Sequence, residues 1–94
     1  MRLCQDEKTA LQNAIADIED EVYIFGSRVD DSKKGGDIDI LIFSKKKSYD
    51  LSQLISTRFF MAMDSKLDVV VFDKDNMSKK QSAFVDTLNL GRIK

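Results

Sequence analysis

Three aspartates and a Gly-Ser pair are the residues of this chain whose types and spacing suggest chemistry. Gly26 and Ser27 follow one apolar run, Asp37 and Asp39 open a second, and Asp68 stands near the start of a third. Side chains i and i+2 of a strand point to the same face, about 7 Å apart at Cα, so Asp37 and Asp39 can converge on one ion. Carboxylate oxygens suit hard cations such as Mg²⁺ or Mn²⁺. The pattern therefore predicts a divalent-metal site.

The composition restricts which other catalytic or metal sites the chain can form, because it contains no histidine and a single cysteine. Ser-His and Cys-His nucleophiles and the usual zinc sites are thereby excluded. Acidic and basic residues nearly balance, 16 against 15, so the field of a general nucleic-acid binder is absent. The length predicts one domain over 1–94, and the lack of a long apolar run favours the cytoplasm over a membrane or secreted location.

The elements that must position the carboxylates follow from the hydrophobic pattern. Asp50 is expected to cap a helix, a short helix is expected at Ser27, and Ser78 with Gln81 has the spacing of a capping box. The predicted segments are helix 5–20, strand 21–25, strand 37–43, helix 50–63, strand 67–72 and a helix from 78 to about 89, with 92–94 as a fraying tail or a short edge strand. The fold class expected is α/β (α+β), in the order αβαβαβα, with helices packed on a small mixed sheet.

The connections between strands bring the candidate residues to one edge of the sheet. The second and third strands are joined through a helix, which is the connection that links parallel neighbours, so Asp39 and Asp68 should start at the same edge. The first connection is shorter, and an antiparallel pairing would bring Gly26 and Ser27 to that edge as well. Like charges gathered there require a cation, and a glycine turn at a helix start offers N–H groups to a phosphate. These parts favour phosphoryl or nucleotidyl transfer assisted by two metal ions.

A bare D-x-D pattern is weak in an Asp-rich chain, and residues 73–75 (D-K-D) are a second copy of it. That copy follows a strand and has no Gly-Ser partner, so a solvated turn is predicted there. The alternative for Asp37 and Asp39 is a polar strand entrance, and for Asp68 it is a surface carboxylate. Spacing alone leaves both interpretations open.

Three motifs of the chain resemble those of a known family. GSR at 26–28, DIDILIF at 37–43 and LDVVVF at 67–72 are similar, in order and spacing, to the motifs of the polymerase-β-type nucleotidyltransferase superfamily. They are most similar to its smallest members, the minimal nucleotidyltransferases of prokaryotes, and the match covers nearly the whole chain. The resemblance implies the nucleotidyltransferase fold, ATP as a substrate and two Mg²⁺ ions, with Mn²⁺ as a possible substitute.

The resemblance also implies roles for individual residues. Asp37 and Asp39 would hold both metals. Asp68 would bind the catalytic ion and help to activate the incoming hydroxyl. Gly26 and Ser27 would hold the β- and γ-phosphates, while Arg28 either touches phosphate or has a surface role. The chain departs from the family pattern in the acidic residues 30 and 31 that follow this motif, and in a short loop before residue 37.

Minimal nucleotidyltransferases similar to this chain typically accompany a small all-helical HEPN protein, often a ribonuclease toxin. They act as its antitoxin by adenylylating a tyrosine. The resemblance therefore implies AMP transfer from ATP to a hydroxyl of a HEPN-type partner in a hetero-oligomer, without membrane or stable nucleic-acid binding. Two alternatives remain: a non-catalytic nucleotide-binding module that neutralises its partner by contact, and a stand-alone nucleotidyltransferase for a small-molecule acceptor.

Overall fold

The described chain contains three helices and four strands. The computed structural model describes residues 3–26 and 38–94. The elements are α1 (Gln5–Ala14), β1 (Glu21–Phe25), β2 (Ile38–Phe43), α2 (Ser48–Met63), β3 (Leu67–Phe72), α3 (Lys79–Asp86) and β4 (Gly91–Arg92). This α+β arrangement confirms the predicted fold class, and the bounds of β1 and β3 are those predicted. The short helix expected at Ser27 lies outside the described residues, as does Asp37.

The strands form one mixed sheet in the order β3-β2-β1-β4. β1 and β2 pair antiparallel and β2 and β3 pair parallel, as predicted from the lengths of their connections. α2 supplies the crossover between the parallel pair, because it returns the chain to the edge at which β2 begins. β4 pairs antiparallel with β1 through Gly91 and Arg92, so a short edge strand forms here, as one of the two predictions had it, but at 91–92 and not at 92–94.

One face of the sheet carries the main hydrophobic core, against α1 and α2. Alternate residues of each strand reach this face, as the two-residue period of a strand requires. Its largest fully buried side chains include Phe59 of α2, with Ile24, Ile40 and Ile42 of the sheet. Burial of a side chain of this size stabilises the fold by roughly 1.5–3 kcal/mol. The same core also contains Ala10, Leu11, Ala14, Ile15, Ile18, Val22, Ile38, Leu51, Ile55, Leu67 and Val71.

The opposite face is apolar in its middle and polar where β2 and β3 begin. Leu41 is fully buried on this face. α3 contributes Phe84, whose ring lies edge-on to Phe25 and Phe72 with centroids 6.1 and 6.2 Å apart. The predicted capping box of α3 is confirmed, since Ser78 Oγ accepts from the Gln81 N–H at 3.1 Å and the Gln81 side chain accepts from the Ser78 N–H. A second apolar layer thus lies beside the aspartates.

α1 is shorter than predicted, because it ends at Ala14 and not at residue 20. Distant cations satisfy the carbonyls at this end. Arg58 Nη1 donates to the Ala14 carbonyl at 3.1 Å, and Lys94 Nζ donates to the carbonyls of the next two residues at 2.7 and 3.0 Å. Ile15 and Ile18 remain buried beyond the helix, so the apolar spacing continues where the helix does not. The partners come from 44 to 79 residues away, which local spacing does not reveal.

Two further helix bounds differ from the prediction. α2 starts at Ser48 with Lys47 as the N-cap, so Asp50 lies in the first turn and is not the cap. A carboxylate in the first turn is still favourable, because it faces the positive end of the helix dipole. α3 ends at Asp86, with Thr87 as the C-cap, and not at about residue 89. Among the described residues, no helix is long and apolar enough to cross a membrane.

Candidate active site

Asp39 and Asp68 lie side by side on neighbouring parallel strands. The register pairs Asp39 of β2 with Asp68 of β3, and on the other side pairs Asp39 with Phe25 of β1. Neighbouring strands are about 4.8 Å apart, and paired residues project to the same face of the sheet. Both aspartates are partly buried. The parallel crossover therefore places two carboxylates at one edge, in the arrangement predicted for them.

Gly26 brings the end of β1 against the Asp39 carboxylate. Its φ is +79°, in the left-handed region that favours glycine. A Cβ at this position would lie 2.6 Å from Asp39 Oδ2, which is too close for any other residue without movement of the aspartate. The chain therefore needs glycine here for two reasons, its backbone angle and the space taken by the carboxylate. This contact places the first part of the GSR motif at the edge where the aspartates lie.

Lys66 forms an ion pair with Asp68, with 3.4 Å between Nζ and Oδ1. Sequence reasoning did not identify this lysine. Its signal was its position, two residues before Asp68 at the entrance to β3, where a side chain of the same strand would reach the same face. Among the described residues, the ammonium of Lys66 therefore lies beside one of two neighbouring carboxylates.

A groove of about 420 Å³ runs between α2 and the edge strand β3 and ends at Asp68. Its α2 wall includes the polar residues Ser52, Ser56 and Thr57, and Lys66 lines it on the strand side. These α2 residues were also missed from the sequence, because helical spacing assigns them only to the face away from the core. Asp68 is therefore among the residues that border this groove.

The rest of the predicted site falls outside the described residues. These are Asp37, the third predicted metal ligand, and Ser27 and Arg28 of the phosphate motif. Within residues 3–26 and 38–94 no group of three or more His, Cys, Asp or Glu side chains is arranged to hold a metal. The two described aspartates nevertheless suit a hard divalent cation, because they supply adjacent carboxylates with no competing soft ligand beside them.

The second D-x-D copy is a turn beyond β3, as predicted. The Asp75 N–H donates to Asp73 Oδ1 at 3.1 Å, a local turn contact. Asp75 also pairs with Lys45 at 3.1 Å, and this hydrogen bond raises the pKa of the Lys45 ammonium. The carboxylates of this copy thus serve a surface turn and lie at the opposite end of the sheet from Asp39 and Asp68.

A small mixed sheet that pairs two aspartates beside a glycine turn is the arrangement expected of a nucleotidyltransferase. A family model described as a nucleotidyltransferase domain matches residues 8–89. This match covers most of the chain, which therefore belongs to the nucleotidyltransferase domain family, and membership supports a nucleotidyl transfer activity. Proteins of this family typically use a nucleoside triphosphate and divalent metal ions. A search of curated proteins with the sequence found no match.

Proposed function

We propose that this chain transfers AMP from ATP to a hydroxyl group of a HEPN-type helical partner, and acts as that partner's antitoxin. The acceptor oxygen attacks the α-phosphorus, the bond from this phosphorus to the bridging oxygen breaks, and diphosphate leaves while the hydroxyl proton passes to a base. The observation that carries the transferase part is the register pairing of Asp39 with Asp68 beside Gly26. Family membership supports the same reaction class.

The proposed roles of the chain's residues follow from their types. Asp37, Asp39 and Asp68 would hold Mg²⁺, with Mn²⁺ as a substitute, and Asp68 would also orient the acceptor hydroxyl. Bound divalent ions neutralise the charge on the phosphate oxygens. Gly26 and Ser27 would present backbone N–H groups to the β- and γ-phosphates, because successive N–H groups in a turn can form an anion-binding site. Positioning and charge neutralisation suffice for this chemistry, which explains how a small protein can perform it.

The outer side of α2 supports a protein acceptor. Four of the five large hydrophobic side chains that the described residues expose lie on this helix, and they are Tyr49, Leu54, Phe60 and Met61. At about 100° per residue they fall within an arc of about 140°, opposite the buried side of α2. Exposed apolar residues gathered on one side of a helix are typical of a protein interface. The helical HEPN identity of the partner rests on the resemblance to minimal nucleotidyltransferases.

The experiment incubates the chain with α-labelled ATP, Mg²⁺ and a HEPN-type partner encoded beside it. We expect label on the partner with wild type, and none with Asp37→Ala or Asp68→Asn. Asp75→Asn is the matched control, because this aspartate belongs to the second D-x-D copy, and it should label as well as wild type. Label that survives Asp37→Ala and Asp68→Asn would contradict the site assignment.

The same variants test the contact alternative, which the exposed side of α2 also favours. If the chain neutralises its partner only by binding, Asp68→Asn still protects cells from the toxin, and a tight complex forms without label. If it acts by nucleotidyl transfer, Asp68→Asn forms the complex but loses protection. Label on a small molecule, with none on the partner, would instead indicate the stand-alone enzyme.

A further inference from the structure

Lys66 is the cation nearest to the paired carboxylates among the ion pairs of the described residues. Its Nζ lies 3.4 Å from Asp68 Oδ1, and 71% of its side chain is exposed against 41% for that of Asp68. Lysine has a flexible four-carbon stem and a compact charge, so it can leave such a pair at little cost. The pair is therefore a reversible contact at the surface and not a fixed structural link.

The charge of Lys66 has two opposite effects on this site. Asp39 and Asp68 are paired in register, so their like charges repel, and an ammonium at Asp68 reduces that repulsion. A divalent cation that binds Asp68 needs the same carboxylate and is itself repelled by an ammonium about 3–4 Å away. The ion pair with Lys66 and the binding of a metal ion at Asp68 therefore weaken each other.

We propose that Lys66 is a built-in counter-ion of the candidate site, which competes with the divalent cation for Asp68 and so sets the cation affinity. This inference rests on the proposed metal-dependent function. Lys66 stabilises the carboxylates when no metal is bound, and it moves away when one binds. The groove between α2 and β3 gives it somewhere to go, since Lys66 already lines this groove and the hydroxyls of Ser52 and Ser56 lie along it.

The direct test is Mn²⁺ binding to the whole chain without nucleotide, measured from the electron paramagnetic resonance signal of free Mn²⁺. Only the Mn²⁺-binding sites that are lost in the Asp68→Asn variant are assigned to the candidate site. Lys66→Gln should bind Mn²⁺ about two- to fivefold more tightly than wild type, a modest factor because exposed ion pairs are weak. If this variant instead binds Mn²⁺ with unchanged or lower affinity, the counter-ion role is wrong although the metal site stands.

Lys74→Gln is the matched control. Lys74 pairs with Glu21, also at 3.4 Å, and the two side chains are 61% and 36% exposed, close to the values for Lys66 and Asp68. The two variants therefore remove the same charge from ion pairs of equal length and similar exposure at opposite ends of the sheet. Equal tightening by both would mean that net charge alone sets the affinity, and would overturn the assignment to Lys66.

A second measurement needs no metal and separates the two proposals. In the presence of a chelator, Lys66→Gln should lower the urea midpoint of unfolding in the wild-type background and leave it unchanged in the Asp68→Asn background. The absence of this coupling overturns the counter-ion role whatever the metal result. If Lys66 and Asp68 are coupled in stability but neither wild type nor Lys66→Gln binds Mn²⁺, both the metal-dependent function and the inference built on it are wrong.

Discussion

The two ends of the parallel strand pair carry similar residues but differ in how these are arranged. At the starts of β2 and β3, Asp39 and Asp68 are direct neighbours across the strands, beside Gly26. At the other ends lie Lys45 and the second D-x-D copy at 73–75, again with several carboxylates and lysines close together. Both ends line open grooves, and the one at the far end is larger, about 590 Å³ against about 420 Å³.

The register of the carboxylates separates the two ends more clearly than groove size does. At the far end Lys45 pairs with Asp75 at 3.1 Å and Lys74 pairs with Glu21 at 3.4 Å. At the near end two carboxylates lie in register. Two carboxylates held as direct neighbours across strands repel each other and suit a cation, whereas single ion pairs on a surface need no further explanation. Register across strands, and not the D-x-D pattern or the groove volume, is therefore what marks the candidate site.

The largest effect expected from this comparison is on transfer activity. Asp39→Asn and Asp68→Asn should each lower the rate of labelled nucleotide transfer by at least about 10²-fold, because each removes charge that would hold the metal at the transition state. Asp73→Asn and Asp75→Asn should leave the rate within about twofold, since their partners are turn and surface groups. Circular dichroism checks that all four variants fold. A loss at Asp75→Asn comparable with that at Asp68→Asn would erase the distinction between the ends.

Gly26→Ala should have the next largest effect, on both stability and activity. The φ of +79° and the 2.6 Å approach of a new Cβ to Asp39 Oδ2 together predict a loss of about 1–3 kcal/mol in the free energy of unfolding. Transfer should fall because the Asp39 carboxylate must move. Gly91→Ala is the control, since Gly91 lacks a positive φ. Urea unfolding and the transfer assay measure the two effects, and a Gly26→Ala protein as stable and active as wild type would show that this close approach is not needed.

Much of the fold could be predicted from the sequence because its signals are local. The runs at 21–25 and 67–72 are short, β-branched and bounded by turn residues, and they form strands with the predicted bounds. The helical connection correctly predicted the parallel pairing that brings Asp39 beside Asp68. Family membership is likewise consistent with the three quoted motifs. Roles in catalysis for these residues stay predictions.

The features that could not be predicted depend on contacts between distant parts of the chain. α1 ends early where Arg58 and Lys94 satisfy its last carbonyls, and apolar spacing carries no trace of those partners. Lys66 was missed because a lysine before a strand is common and gains meaning only from the distance of its Nζ to Asp68. Asp50 was assigned as the N-cap by its residue type, although the N-cap of α2 is Lys47, three residues earlier. Spacing identifies elements, whereas the ends of elements and the surroundings of a charge are set by tertiary contacts.

Ser44→Ala tests whether the far end of the sheet has only a structural role, and its expected effect on stability is smaller. Ser44 is the buried polar residue at the far end, 5% exposed, and its Oγ accepts from the Lys46 N–H at 3.1 Å. Loss of this bond should lower the free energy of unfolding by about 0.5–1.5 kcal/mol. Nucleotide transfer, measured with the labelled substrate, should not change. If transfer falls as it does in Asp68→Asn, the far end takes part in the reaction and the division drawn between the ends is wrong.

The smallest expected effect concerns pH at the far end. The Tyr23 hydroxyl donates to Glu21 Oε2 at 3.0 Å, and this bond, with a smaller contribution from the charge of Lys74, lowers the pKa of Glu21 below its ordinary value of 4.5. A lowered pKa in the folded state means that the contact stabilises the protein above about pH 4.5, and that this stabilisation is lost as the pH falls through the folded-state pKa.

Tyr23→Phe isolates that contact, because it removes the hydroxyl but keeps the ring, which lies edge-on to Phe43 with centroids 5.7 Å apart. Urea unfolding at pH 7 should show the variant slightly less stable than wild type. The difference should shrink as the pH falls through the folded-state pKa of Glu21, since protonation removes the negative charge that the hydroxyl contact stabilises. A difference that is constant with pH would mean that the hydroxyl acts through something other than the Glu21 carboxylate. Mn²⁺ binding should be the same in both proteins at every pH, because Glu21 lies at the opposite end of the sheet from Asp39 and Asp68.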